Sequence, residues 1–150
     1  MAYKLSTRSR EKLIGVKGEL KEVVCLAITY TKIDFGVIEG VRTENRQRVL
    51  VESGASKTMK SKHLDGRAVD LMAYVDGRGC WELNVYDEVA DAMKRAAIEV
   101  DVTVRWGAAW TVPDIREWNG TMEEAMNSYV DTRRGQGRRP FIDAPHFELI

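Results

Sequence analysis

The chain has 150 residues, of which 44% are hydrophobic and 31% are charged, a composition that suits one globular domain and excludes a disordered chain. Lys and Arg number 23, and Asp and Glu also number 23, so the formal net charge is +0. This balance argues against binding to nucleic acid or an acidic membrane over the whole surface, because such partners favour a basic excess. Only two histidines and two cysteines are present, so a site built from histidine or cysteine has at most two residues of each type available.

We expect residues 1–150 to form a single domain. The amino terminus has no uninterrupted apolar segment, which predicts a protein without a signal peptide. The longest apolar stretch, around residues 23–28, is far too short to span a bilayer, so no stable membrane association is expected. Two cysteines without a CxxC pair exclude both a disulfide framework and a cysteine-based zinc site.

The first half of the chain alternates periodic segments with polar ones. Apolar residues three and four positions apart predict a helix near the amino terminus, and Ser9 is its expected N-cap. The predicted elements are a helix over residues 9–29, a short strand over 35–39, a short helix over 44–52 and a long polar loop over 54–66.

The second half begins with a largely apolar run, AVDLMAYV, that predicts a strand. Thr121 and Glu124 form the signature of a capping box and therefore mark the start of a helix. The predicted elements are a strand over residues 68–75, a turn at 76–77, a long helix ending near 100, a strand over 102–106, a helix from 121 to about 133 and a strand over 146–149. Because helices and strands mix without regular βαβ spacing, we expect an α+β domain with a small, mainly antiparallel sheet flanked by helices.

Asp70 lies inside the apolar strand, where an uncompensated carboxylate would cost several kcal/mol or become protonated. A metal, an Arg or Lys, or backbone donors must therefore offset its charge. His63 precedes it by seven positions, and Gly66 allows the chain to turn back between them.

A second cluster, IDAPHFELI, ends the chain. Pro145 disfavours a helix here, so we expect Asp143 and His146 on a bend that leads into the last strand. Two histidines and Asp70 would supply the three ligands of a catalytic zinc site, with Asp143 as a nearby general base. The absence of H-E-x-x-H excludes the helix-borne arrangement of the zincins.

The segments SKHLDGRAVDL and DAPHFEL resemble the S-x-H-x-x-G-x-A-x-D…(D/E)-x-x-H signature of the D-alanyl-D-alanine carboxypeptidase and hedgehog-type metallopeptidases. Within that group the chain is most similar to the phage endolysins that are L-alanyl-D-glutamate peptidases. GVRTENRQ, GASKT and the WG of RWGAAW extend the resemblance over roughly residues 9–150.

The resemblance implies a zinc peptidase with one zinc ion per chain, held by His63, Asp70 and His146. It also implies that Asp143 activates the attacking water and then protonates the leaving amine, while Arg42 stabilises the oxyanion. The other implied site residues are Ser56, Ser61 and Trp110, which would contact substrate, and Glu148, which would support His146.

The implied activity is cleavage of the L-alanyl-D-glutamate bond of bacterial peptidoglycan during cell lysis. The resemblance further implies a monomer that stays in the host cytoplasm until a holin releases it to the cell wall. Two features depart from the family pattern: Ala109 stands where relatives often carry Asp, and residues 112–139 look like a longer, more basic insertion or lid.

Alternative interpretations remain open at this stage. Asp70 could pair with Arg67 or Arg105 in the core, and Asp143 could cap a turn. The basic stretch 133–139 could be a solvated loop or a contact with anionic wall polymers. For the whole protein, the alternatives are a D,D- or L,D-carboxypeptidase on the same scaffold and a wall-binding module without activity.

Overall fold

A five-stranded antiparallel sheet organises the fold in the computed structural model, which describes residues 2–150. Its strands are β1 (Asp34–Glu39), β2 (Ala68–Val75), β3 (Arg78–Cys80), β4 (Val104–Trp106) and β5 (His146–Leu149). The strand order is β1-β2-β5-β4, and β3 forms a hairpin with the carboxyl end of β2. The predicted α+β class with a small antiparallel sheet is confirmed.

Among the described residues, five helices flank this sheet: α1 (Thr7–Lys12), α2 (Gly18–Tyr30), α3 (Glu44–Glu52), α4 (Leu83–Val100) and α5 (Met122–Gly135). Two one-turn 3-10 helices, Lys62–Asp65 and Ile115–Glu117, lie in the connections. Helices α2 and α4 pack against each other through fully buried side chains such as Leu20 and Met93. Burial of these apolar side chains stabilises the packing of the two helices.

The prediction of one helix over residues 9–29 is wrong, because the chain breaks into α1 and α2. The break lies at Gly15, whose φ of 85° belongs to the left-handed region that glycine adopts readily. Apolar residues continue the helical spacing across the break, since both helices face the same core. Periodicity alone therefore could not locate the interruption.

Ser9 is not the N-cap that the sequence predicts. The N-cap of α1 is Ser6, whose hydroxyl accepts a hydrogen bond from the backbone N–H of Ser9 at 3.0 Å. Ser9 itself is buried, and its hydroxyl accepts a hydrogen bond from the backbone N–H of Val37 in β1. The serine therefore ties α1 to the sheet instead of starting the helix.

Several local predictions are confirmed at residue level. Helix α3 and strands β2 and β5 have the predicted bounds, and Thr121 with Glu124 forms the capping box at the start of α5. The short strand β3 was not predicted, because its three residues, RGC, have no apolar pattern.

For the core-facing part of residues 112–139, the expectation of a lid is wrong. Ile115, Met122 and Ala125 are fully buried and belong to the same hydrophobic core as α4. Exposed residues alternate with these buried ones as far as Thr132, and residues 134–139 are exposed without interruption. Within residues 2–150, the helices are too short or too polar to cross a membrane.

Asp87 is a buried carboxylate on α4 that lies outside the sequence motifs. Its side chain is 7% exposed, and its Oδ1 atom has no hydrogen-bond partner among residues 2–150. Burial, together with the negative charges of Glu123, Asp91 and Glu88, raises the pKa of Asp87 to about 6. Ionisation of this group therefore opposes folding.

We predict that Asp87→Asn stabilises the protein at neutral pH and not in acid. The pKa of Asp87 is higher in the folded state, so the native protein binds more protons between about pH 4 and pH 6 and loses stability as pH rises through that window. The substitution removes this penalty and should raise the free energy of unfolding by about 1–2 kcal/mol at pH 7. Urea denaturation at pH 4 and pH 7 measures the effect, and a difference that does not change with pH would contradict this assignment.

Candidate metal centre and active site

The register of the sheet brings three polar side chains into one row. Asp70 of β2 pairs directly with His146 of β5 on one side and with Glu39 of β1 on the other. Residues paired across antiparallel strands point to the same face and lie close together. The pairing thus joins Asp70 to a histidine that is 76 positions away along the chain.

His63 reaches the same place from the loop before β2. It lies in the 3-10 helix Lys62–Asp65, whose N-cap is Ser61. The turn ends at Gly66 with a φ of 75°, and a Cβ there would lie 2.5 Å from the carbonyl oxygen of Gly15. Only glycine fits this close approach, which places the loop against the connection between α1 and α2 and points His63 at Asp70.

Two imidazoles and one carboxylate converge at this point. His63 Nε2 lies 3.3 Å and His146 Nδ1 lies 3.2 Å from Asp70 Oδ1. One ligand atom from each of the three residues lies within 4.8 Å of the others. Ligands of a tetrahedral zinc ion are about 3.4 Å apart, so the donors present fit such a metal.

The second nitrogen of each imidazole has a backbone or carboxylate acceptor. His63 Nδ1 lies 2.9 Å from the carbonyl oxygen of Gly40, and His146 Nε2 lies 2.8 Å from Glu148 Oε1. Such acceptors fix the tautomer that leaves the other nitrogen free to bind a metal. Consistent with this, His63 Nε2 is buried without a hydrogen-bond partner in the part of the chain that the structure describes.

Interactions within the cluster favour the charged forms of Asp70 and His146. Burial raises the pKa of Asp70, but the hydrogen bond with His146 and the proximity of His63 outweigh it and hold that pKa well below its usual range. Burial lowers the pKa of His146, but its hydrogen bonds to Asp70 and Glu148 raise it to about 9. Asp70 is therefore an anion whose charge needs partners, and a cation at this point would supply them.

Glu148 belongs to the same network through a lysine. Lys62 Nζ lies 2.9 Å from Glu148 Oε2 and also donates to the carbonyl oxygen of Leu149. Burial raises the pKa of Glu148, but contacts with His146 and Lys62 outweigh it and lower that pKa to about 2. The carboxylate thus keeps its charge while it orients His146.

Asp143 lies on a bend that Trp106 and Gly107 hold in place. The backbone N–H of Asp143 donates to the carbonyl oxygen of Gly107 at 2.8 Å, and Trp106 Nε1 donates to that of Ala144 at 2.7 Å. A Cβ on Gly107 would lie 2.3 Å from the carbonyl oxygen of Asp143, so the WG pair is a packing requirement of the bend.

The environment of Asp143 differs from that of Asp70. Burial and the negative charge of Asp70 raise the pKa of Asp143, while its interactions with His146, His63 and Arg42 only partly oppose this. Two neighbouring carboxylates with pKa values pushed in opposite directions are typical of an acid–base pair with separate roles. Asp143 is therefore the carboxyl group at this site best suited to gain and lose a proton.

Arg42 is held rigidly beside the cluster. Its guanidinium is 2.8 Å and 2.9 Å from the two carboxylate oxygens of Glu39, and Nη1 donates to Gln47 Oε1 at 2.7 Å. Nη2 also lies 3.5 Å from Asp70 Oδ2. The bidentate contact fixes the plane of the guanidinium and leaves positive charge facing Asp70.

These residues line one cleft of about 410 Å³. The predicted site residues on its walls are Arg42, Ser56, Ser61, His63, Asp70, Trp110, Asp143, His146 and Glu148. Ser56 also accepts a hydrogen bond from Gln47 Nε2, so it supports the same network that holds Arg42. Ala109, in contrast, is fully buried in the hydrophobic core.

The structural alternatives for Asp70 are wrong. Arg67 pairs with Asp65, and Arg105 donates to the carbonyl oxygen of Trp110. The charged partner of Asp70 is Arg42, which lies 28 positions earlier in the chain.

Sequence reasoning missed Glu39, Gln47 and Lys62. Gln47 is fully buried in the middle of α3, where its only signal is a polar side chain on the inner face of a polar helix. Glu39 ends β1, and a polar residue there looks like an ordinary strand end.

The known proteins that this chain resembles are described by the same activity. The family model described as phage L-alanyl-D-glutamate peptidase matches residues 1–150. The L-alanyl-D-glutamate peptidase of Escherichia phage T5 is 32% identical over 154 residues, which cover 100% of both chains. The crystal structure of an L-Ala D-Glu endopeptidase from Serratia marcescens is similar with a TM-score of 0.74 and 34% identity, and the match covers 99% of this chain and 91% of that one. The chain therefore belongs to the family of phage L-alanyl-D-glutamate peptidases.

Proposed function

We propose that this protein is a zinc-dependent endopeptidase that cleaves the L-alanyl-D-glutamate bond of peptidoglycan stem peptides. The observation that carries the proposal is the convergence of His63, Asp70 and His146 in a cleft that also holds Asp143 and Arg42. Family membership supports the bond that is cleaved, because relatives over the whole chain are named for it.

His63 Nε2, Asp70 Oδ1 and His146 Nδ1 are the atoms that would hold the ion. Zinc bound by three protein ligands polarises a substrate carbonyl and lowers the pKa of a water molecule to about 7. The acceptors at Gly40 and Glu148 keep both imidazoles in the orientation that this role needs.

Asp143 moves the proton in this proposal. Its carboxylate accepts a proton from the attacking water, and its raised pKa allows it to hold that proton until the amine of D-glutamate leaves. The same carboxyl then delivers the proton to the amine, so one residue acts first as a base and then as an acid. Both histidines of the chain are already assigned to the metal, so neither is available for this step.

Arg42 stabilises the negative charge that develops on the carbonyl oxygen. Its position beside Asp70, fixed by Glu39 and Gln47, supports this role because a preorganised cation needs no rearrangement during the reaction. Ser56, Ser61 and Trp110 line the cleft and contact the stem peptide in the same proposal.

The wider setting also belongs to the proposal. The single domain of residues 1–150 acts as a monomer on bacterial peptidoglycan, without nucleic acid or stable membrane association. It stays in the host cytoplasm until a holin opens a path to the wall, as expected of a phage lysis enzyme. The phage relative over the full chain supports this setting.

Mass spectrometry of digested muropeptides tests the bond specificity. We expect the zinc-loaded protein to release peptides with a new amino-terminal D-glutamate. Loss of a terminal D-alanine instead would indicate a carboxypeptidase on the same scaffold, and no change in the muropeptides, with zinc bound, would indicate a binding module.

We predict that Asp143→Asn lowers kcat about 100- to 10,000-fold, because the variant cannot accept or deliver the proton. Its zinc affinity should stay within about threefold of wild type, since Asp143 is not among the proposed ligands. Turnover of a stem peptide and zinc titration measure the two effects. Asp131→Asn, on the exposed part of α5, is the matched control and should keep full activity. Wild-type turnover in Asp143→Asn would eliminate the proposed proton carrier.

We also predict that Glu148→Gln weakens zinc binding about 10- to 100-fold, because it removes the charge that orients His146. Competition with a chromophoric chelator measures the Kd of the metal. Glu22→Gln, an exposed substitution on α2, serves as the charge-matched control. Equal zinc affinity in Glu148→Gln and wild type would show that this contact has no part in metal binding.

A further inference from the structure

The cations that line the cleft are not all paired. Four cationic side chains line the cleft: Arg42, Lys57, Lys60 and Lys62. Arg42 forms ion pairs with Glu39 and Asp70, and Lys62 forms one with Glu148. Within residues 2–150, neither Lys57 nor Lys60 forms an ion pair with a carboxylate. Two positive charges in the cleft are therefore available to a ligand.

Of these two lysines, Lys57 has its ammonium placed against an aromatic ring. Its Nζ atom lies 4.8 Å from the ring centroid of Phe141. Phe141 stacks on Trp110 with centroids 6.2 Å apart, and Trp110 lies 5.7 Å from the ring of His146. A continuous aromatic wall thus runs from the candidate metal centre to the ammonium of Lys57.

The wall also joins two separate parts of the chain. Lys57 lies on the loop that precedes His63, and Phe141 lies two positions before Asp143. The cation–π contact therefore crosses the cleft between the segment that carries one candidate ligand and the segment that carries the candidate base.

The substrate of the proposed reaction brings its own negative charge. A D-glutamate residue that is acylated on its amine and continues the stem through one carboxyl group keeps its other carboxylate free. This carboxylate belongs to the residue whose amine leaves, so it enters the cleft with the scissile bond. Asp143 lines the same cleft without an ion pair to Lys or Arg among residues 2–150, so its negative charge would repel this carboxylate unless an unpaired cation compensates.

We propose that Lys57, held over Phe141, binds the free carboxylate of the D-glutamyl residue and makes the enzyme prefer that carboxylate to the corresponding carboxamide. The inference rests on the proposed function and adds a specificity-determining residue to it. An ammonium over an exposed ring is weakly held, whereas a hydrogen bond between two charged groups is stronger. The carboxylate therefore displaces the ring as the partner of Lys57, and the wall positions the lysine for that exchange.

Two synthetic stem peptides test the inference: one with the free carboxylate of D-glutamate and one with that group converted to a carboxamide. We expect wild type to cleave the carboxylate peptide with a kcat/KM about tenfold higher, mainly through a lower KM, because the contact exists before the chemical step. Lys57→Gln should lose this preference. Its kcat/KM for both peptides should equal the kcat/KM of the wild type for the carboxamide peptide. Lys57→Arg should retain the preference, since it retains the charge.

Matched variants separate this contact from general electrostatic attraction. Lys60→Gln removes the other unpaired cation of the cleft, and Lys4→Gln removes an exposed lysine elsewhere. Both should keep the preference for the carboxylate. Phe141→Leu should weaken the preference without abolishing it, because the lysine keeps its charge but loses the aromatic surface that positions it.

The outcomes distinguish the two proposals. If wild type cleaves both peptides equally well, or if Lys60→Gln and not Lys57→Gln abolishes the preference, the role of Lys57 is overturned while the peptidase activity stands. If zinc-loaded wild type cleaves neither peptide, the proposed function itself fails.

Discussion

The largely buried carboxylate of Asp70 is the constraint on which the rest of the site depends. A charge placed in the middle of a sheet must be compensated, and three neighbours of Asp70 do so: His146 across one strand pair, His63 from the preceding loop, and Arg42 from beyond β1. The sheet register, the left-handed turn at Gly66 and the buried Gln47 all hold these partners in place. The apolar strand therefore specifies a polar site as well as a core.

The scarcity of histidine shapes the chemistry. Both imidazoles turn one nitrogen towards Asp70 and have the other satisfied by Gly40 or Glu148, so the proposed mechanism assigns proton transfer to a carboxyl group. Asp143 suits that task because it is half-buried beside the negative charge of Asp70, and its pKa moves up while that of Asp70 moves down. The +0 net charge of the chain likewise conceals a cleft in which most charges are paired and Lys57 is not.

Much of the fold and of the candidate site could be predicted from the sequence, because the residues that determine them lie in short local motifs. The bounds of β2 follow from an apolar run, and the capping box at Thr121 is a local signature. The break at Gly15 could not be predicted, because the apolar spacing continues through it. Contacts made by Glu39, Gln47 and Lys57 depend on strand register and on loops that meet only in the folded chain, and no pattern along the sequence encodes them.

The most direct test of the account is zinc titration of the metal-free protein, followed by X-ray absorption at the zinc edge. We expect one zinc ion per chain, coordinated by two imidazoles and at least one carboxylate oxygen, and a loss of tight binding in Asp70→Asn. A protein that binds no stoichiometric zinc, or one whose zinc has no imidazole ligand, would contradict the assignment of His63, Asp70 and His146.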